Sequence, residues 1–406
     1  MFNSGSICSY VQAHEKEAIQ CLVELLQSPS PTGSEKPMAD TVLRWLKTMQ
    51  LDIKTFEYQK DRPNFVASWN GSKPGKTFLF NGHMDVFPPT ETTDKAYDPW
   101  SAEIKDGWIY ARGASDMKGG DSAALIAVKF LQDMGFDPCG TITLNFVSDE
   151  ENGGKYGVLP LLEENQLKGD FGISMEPSSE SIIIGHGGTY PCKIVVFGDG
   201  GHAAKAIPEN DPNNHYGGED AIKKAMKAVA ALNKLQDEVI DKKLETPFGK
   251  SHLAVTKINA GIAVNNYPRR AEICIDRRYM PDETPESVDA EIIAALEAVK
   301  LEDPTFKYEF HNHYEPDTPV FTVEEDSEIV SALGAAHKEI YGERPQHKTT
   351  VGGADAAYIK AAIGTVMPWY GPGESGIIAS SDERLEIERY LKCIEVYMLT
   401  LVKMMS

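Results

Sequence analysis

The chain has 406 residues, 41% of them hydrophobic, and 61 acidic against 40 basic side chains give it a formal net charge of -21. That length exceeds what one compact core holds and predicts two domains. The acidic excess repels phosphate backbones and anionic membrane surfaces, so nucleic-acid and membrane partners are excluded.

Six cysteines, at Cys8, Cys21, Cys139, Cys192, Cys274 and Cys393, form no CxxC pair and no disulfide or zinc-knuckle spacing, and read as small buried hydrophobes. The opening segment lacks the basic and apolar regions of a signal peptide, and no stretch reaches the length of a membrane span. The expected compartment is a reducing cytoplasm.

In chain order, Ile19, Leu22, Val23 and Leu26 form an i, i+3, i+4, i+7 stripe that predicts the first helix. Thr32 and Glu35 have capping-box spacing and predict a second helix carrying Met38, Val42, Trp45 and Met49 on one face. The apolar runs NFVASW, TFLFNG, TITLNFVSDE and FGISMEP read as strands, with the helical run DSAALIAVKFLQ among them. Alternation of this kind predicts a largely parallel α/β sheet.

From about residue 190 the rhythm changes to strand, helix, strand, strand, helix, strand, the pattern of a split-βαβ, ferredoxin-like α+β module. The helix EIVSALGAAHKEIY, the VGGADAAY segment, a strand TVMPWYG and a long helix from about Arg384 then resume the first pattern. The expected architecture is one catalytic α/β domain in two pieces, 1–189 and 314–406, with a smaller domain, 190–313, inserted between them.

In open α/β sheets ligands collect beyond the carboxyl ends of strands. Four such places carry polar residues. NGHMD puts His83 and Asp85 two apart on one face of an extended segment, where Asp85 would orient the imidazole. Asp116 sits in a glycine-rich turn before a helix, Glu150 and Glu151 end one strand, and Glu176 follows another. Any one of them alone is more often an ordinary carboxylate or a satisfied histidine. Together, one histidine with several carboxylates suits zinc, cobalt or manganese better than magnesium.

On these residues the sequence resembles the M20 metallopeptidases, which include acetylornithine deacetylase, succinyl-diaminopimelate desuccinylase, aminoacylase and glutamate carboxypeptidase. GHMD, ARGASDMKGG, SDEENGG, MEPSS, GGHAA, NNYP, DRR, GGADA and GPG fall in the family's order across nearly the whole chain. The resemblance implies a zinc-peptidase-like catalytic domain with a ferredoxin-like lid that also forms a homodimer. It implies one or two Zn2+ per subunit, with Co2+ or Mn2+ as substitutes, held by His83, Asp116, Glu151 and Glu176, and a cis peptide at Asp116–Met117. Glu150 would be the general base, taking a proton from the attacking water and passing it to the leaving amine. His202 matches a lid histidine that reaches the neighbouring subunit's site. Asn265 and Arg278 match substrate-binding residues, and Gly352, Gly353, Asp355 and Gly373 lie in segments that line the pocket. The implied reaction is hydrolysis of an amide in an N-acyl amino acid or short peptide. A glutamate at position 176 is the family's deacylase and carboxypeptidase pattern.

The match breaks at one ligand. The family ends its metal site with a histidine separated from GPG by five residues, where this chain has Ala379, and no histidine follows His347. An engineered inactivating substitution and a natural loss both fit. The second would make the chain a single-metal hydrolase of divergent chemistry or a catalytically silent ligand-binding homologue.

Other motifs have plainer readings. KIVVFGDGGHAA has dinucleotide-site spacing, but the two prolines of KAIPENDPNN cannot open the helix such a site needs. His186 in GHGGTY resembles a lipase oxyanion loop without its GxSxG partner, and reads as a glycine-rich hinge. His311 and His313 alternate on a predicted strand as a solvated edge, and His347 precedes VGGADA with only a weak claim on the site.

Overall fold

The computed structural model describes residues 2–89, 97–202, 220–314 and 317–406. It divides into two compact units, Met1–Gly185 with Phe321–Thr349 and Ala354–Ser406, and His186–Val320 with Thr350–Gly353.

The first unit is built on a five-stranded sheet in the order Asp52–Gln59, Arg62–Asn70, Cys139–Val147, Lys73–His83, Phe171–Ser174. The last three strands run parallel, in a register that sets His83 beside Val147 and Asn81 beside Ser174. Their carboxyl ends therefore lie level, and the loops that leave them meet at one edge. The helix Lys118–Asp133 follows a turn and packs between the helices Glu15–Leu26 and Ile387–Met405. It tolerates burial on nearly every side because Ala123, Ala124 and Ala127 let its neighbours approach while Leu125, Ile126, Phe130 and Leu131 fill the space. Its one buried lysine, Lys118, donates to the carbonyls of Leu25 and Ser28 at the end of Glu15–Leu26.

Local expectations differ from the structure in several places. A helix Ser4–Ala13 precedes the first predicted one and is capped by Asn3. The second predicted helix spans Lys36–Leu46 and has no capping box, because Thr32 and Glu35 turn inward to partners described below. TVMPWYG makes only isolated bridges, at Val366 and Trp369, since Pro368 has no amide to continue a ladder. The last helix begins at Ile387, because Arg384–Glu386 pairs as a strand with Trp108–Tyr110.

The second unit holds an antiparallel sheet in the order His252–Ala260, Arg270–Tyr279, Gly188–Phe197, Lys307–His311. With the helices Ala221–Glu238 and Pro285–Glu302, this is the 2-3-1-4 strand order of a ferredoxin-like module. Alternation along Arg270–Tyr279 buries Ala271, Ile273 and Ile275 in a core shared with Leu232, Ile292 and Leu296 of the two helices. The KAIPENDPNN run lies outside the described residues.

None of the six cysteines forms a disulfide. Cys21, Cys192 and Cys393 are buried, while Cys8, Cys139 and Cys274 are partly exposed, contrary to the expectation that all are interior. Among the described residues no helix is long and apolar enough to cross a membrane.

Candidate metal centre

Every residue of the site comes from a strand end or the turn just beyond one. His83 closes the strand Lys73–His83, Glu150 and Glu151 open the turn after Cys139–Val147, and Glu176 follows Phe171–Ser174. Asp116 lies in the turn that enters the helix Lys118–Asp133, and the Asp116–Met117 peptide is cis.

Two trios of ligand atoms result, His83 with Glu150 and Glu176, and His83 with Asp116 and Glu151, each within 4.8 Å of one another. From His83 Nε2 the nearest carboxylate oxygens lie 3.2 Å away on Asp116, 3.7 Å on Glu176 and 3.8 Å on Glu150. His83 Nδ1 is 2.9 Å from the carbonyl oxygen of Asp85. A carbonyl has no proton to give, so Nδ1 carries the hydrogen and Nε2 is the nitrogen that faces the cluster.

That orientation comes from Asp85's backbone and not from its carboxylate, which stands 3.8 Å from Nδ1. The carboxylate accepts instead from the amides of Glu150 and Glu151, at 3.1 and 3.2 Å, and from the Thr32 hydroxyl at 3.0 Å. Asp85 thus joins the end of one strand to the turn beyond the next. The capping-box spacing that predicted a helix start places Thr32 on Asp85, and Glu35 on Arg62.

Behind that turn lies a second buried network. Arg62 forks onto Glu35 through Nε at 2.8 Å and Nη2 at 2.5 Å, and Nη2 also donates to Asp149 at 2.7 Å. Asp149 holds the left-handed conformation, φ 71°, that starts the turn, and it accepts the Tyr156 amide through its other oxygen. Short polar side chains tolerate that region. The arginine holds it there.

The site gathers buried negative charge around one imidazole. Burial, then the neighbouring carboxylates, hold Glu150 and Glu176 well above the usual carboxylate range. Burial and Asp116 push Glu151 up to about 7. Burial works against a charged His83, but the Asp116 carboxylate and those of Glu150 and Glu176 outweigh it and raise the imidazole well above its ordinary value. Asp116 Oδ1 is buried and accepts no hydrogen bond. An inward-facing carboxylate oxygen beside an imidazole nitrogen and three further carboxylates is a donor set that fits a divalent cation.

The structure places the remaining expected residues as follows. Asp355 opens the helix Asp355–Ile363 in the first unit, buried and close enough that its charge raises both Glu150 and Glu176. Gly373 packs so closely that a Cβ there would stand 2.2 Å from the carbonyl oxygen of Ser115, beside Asp116. Ala379 lies in the turn between Ser375–Ile377 and Arg384–Glu386 and offers no ligand atom. Gly352 and Gly353 group with the second unit, as do His202, Asn265 and Arg278. There His202 Nε2 is 3.4 Å from Asn265 Nδ2 across a short strand pair. Arg278 forks onto Asp276 and lines a cavity of about 270 Å³ with Lys250, Phe248 and Met280. His311 and His313 pair with Glu309 and Asp317, and His347 with Glu325, and none belongs to either trio. His186 donates through Nδ1 to the carbonyl of Gly187.

Sequence reading missed Thr32, Glu35, Arg62 and Asp149 as parts of this region, and gave no role to Glu383. Arg62 carried a signal, being a charged residue at the head of an apolar strand.

The profile of peptidase family M20/M25/M40 matches residues 79–403. The succinyl-diaminopimelate desuccinylase of Paracoccus denitrificans (strain Pd 1222) is 32% identical over 308 residues, 73% of this chain and 76% of that one. The aminopeptidase PepT of Bacillus cereus superposes with a TM-score of 0.72 at 20% identity, covering 95% of this chain and 98% of its own. The YXEP protein of Bacillus subtilis, described as a dinuclear metal binding peptidase, superposes at 0.70 with 17% identity, covering 97% and 99%. With a family match over most of its length, this chain belongs to peptidase family M20/M25/M40, hydrolases of amide bonds.

Proposed function

We propose that this chain is a deacylase-type amidohydrolase that cleaves an N-acyl amino acid or short peptide with divalent metal held by His83, Asp116, Glu151 and Glu176. The observation that carries the reading is the convergence of His83, Asp116, Glu150, Glu151 and Glu176 into two trios of ligand atoms, each within 4.8 Å of one another. Four acidic groups, Asp116, Glu150, Glu151 and Glu176, balance the charge of two divalent ions. Zinc is the expected ion, with cobalt or manganese able to replace it.

When bound, such an ion polarises the scissile carbonyl and acidifies water. The chain's own residues do the rest. Glu150 stands beside His83 and Glu176, where its carboxylate can take a proton from water and return it to the leaving amine. His83 keeps its Nε2 aimed inward through its bond to the Asp85 carbonyl. Arg278, a guanidinium in a cavity lined also by Lys250, is the receptor for the substrate carboxylate. Similarity to a succinyl-diaminopimelate desuccinylase makes N-succinyl amino acids the first acyl class to try.

The second unit is the lid and the dimer contact in this reading. Its strand His252–Ala260 is a sheet edge whose outer half is exposed, with Ile258 53% and neighbouring Met226 66% exposed. A second copy pairing there would cover both residues, with His202 as the residue that reaches its partner. Six cysteines without a disulfide suit a reducing cytoplasm.

Ala379 favours one alternative, a chain that holds one metal firmly and the second weakly, because Asp116 and Glu151 leave the second site short of ligands. The test is an assay of the chain and its Ala379→His variant with zinc, cobalt and manganese against N-succinyl and N-acetyl amino acids and dipeptides. A large gain on restoring histidine supports a two-metal mechanism. Equal rates favour one metal, and silence of both overturns the deacylase reading.

A further inference from the structure

Asp116 is held by a carboxylate that takes no part in either ligand trio. Glu383 Oε1 accepts the backbone amides of Gly113, Ser115 and Asp116 at 3.0, 3.1 and 3.2 Å, and Oε2 accepts Arg112 Nη1 at 2.6 Å. The side chain is 1% exposed. A carboxylate so deeply buried is stable only with its lone pairs filled, and here three amides of one turn converge on a single oxygen. Gly113, at φ 84°, makes that convergence possible.

The same turn is gripped a second time. Ser115 Oγ accepts the Glu374 amide at 2.9 Å and donates to the Arg384 carbonyl at 3.2 Å. Both ends of the segment 374–384 therefore close on the backbone that carries Asp116, and the turn cannot shift without breaking bonds on two sides.

We propose that Glu383 is a positioning residue of the metal centre, fixing the backbone from 113 to 116 so that the Asp116 carboxylate stands where the trio with His83 and Glu151 needs it. The inference rests on the reading that this cluster holds a metal. It assigns to Glu383 no contact with metal or substrate.

The test uses the full chain and its Glu383→Gln and Glu383→Asp variants, stripped of metal and titrated with zinc in competition with a chromophoric chelator and with cobalt by visible absorption. Circular dichroism confirms that each is folded. Glutamine keeps the shape and removes the charge, whereas aspartate keeps the charge beside Arg112 and withdraws it from the amides. The expected result is about a 10- to 100-fold loss of zinc affinity in Glu383→Gln with a changed cobalt spectrum, and a smaller loss in Glu383→Asp. Should Glu383→Gln not fold, Glu383→Asp decides by the same readings. A folded variant with zinc affinity within about twofold of the parent and an unchanged cobalt spectrum overturns the role of Glu383 and leaves the metal reading standing. A parent chain that binds neither ion overturns the metal reading and this inference with it.

Discussion

The backbone amide of Glu151 donates to Asp85 Oδ2 at 3.2 Å, so a residue that follows one parallel strand holds the turn beyond its neighbour. Asp85 orients His83 through its carbonyl and the two glutamates through its carboxylate. One residue thereby sets the relative position of three.

Asp85→Ala removes the acceptor of two amides and the Thr32 hydroxyl while leaving the carbonyl that holds His83. Metal affinity and kcat should each fall by about 10- to 100-fold. Thr32→Val removes one bond to a buried charge and should cost about 1 to 3 kcal/mol of stability with a smaller effect on kcat. Chelator competition, steady-state kinetics and urea unfolding separate the two variants.

Glu150→Gln keeps an oxygen near His83 but cannot take a proton. We expect kcat to fall by about 100- to 10,000-fold while zinc still binds and KM changes little. Metal content by atomic absorption, measured beside the kinetics, checks that the loss belongs to proton transfer.

Arg62 neutralises two buried carboxylates, Glu35 and Asp149. Arg62→Met strands both, and should destabilise the chain by about 3 to 5 kcal/mol in urea unfolding. Adding Glu35→Leu to Arg62→Met should recover part of that loss, since one stranded charge is removed with its arginine.

The gathering of the candidate ligands was legible because it obeys a local rule: His83, Glu150, Glu151 and Glu176 each stand at or just past the end of an apolar run, and strand ends are visible in sequence. The supporting bonds were not legible. Thr32 and Glu35 have the spacing of a capping box and act as one nowhere, because Asp85 and Arg62, distant in sequence, offer them charged partners. Glu383 was visible only as part of a motif, since its three amide partners lie about 270 residues away. The broken strand at Pro368 could have been foreseen from the missing amide of proline alone.

Acid should weaken the fold through His337, which is buried, stacked on Tyr341 and 2.7 Å from the Tyr370 hydroxyl. Burial lowers its pKa to about 4. The unfolded chain binds this proton first, so its share of stability is present near pH 7 and is lost as pH falls from about 6.5 towards 4, by at most about 1.4 kcal/mol per pH unit. Urea unfolding across that range should show a shallower acid slope in His337→Gln than in the parent.

The most direct test of the central claim is hydrolysis of an N-succinyl amino acid by chelator-stripped protein, before and after zinc is restored, in the parent and in Glu176→Ala. The account predicts no turnover without metal, recovery on adding zinc to the parent, and little or none in Glu176→Ala at the same zinc concentration. Turnover by the stripped parent, or equal recovery in both chains, would contradict a metal centre built on His83, Asp116, Glu151 and Glu176.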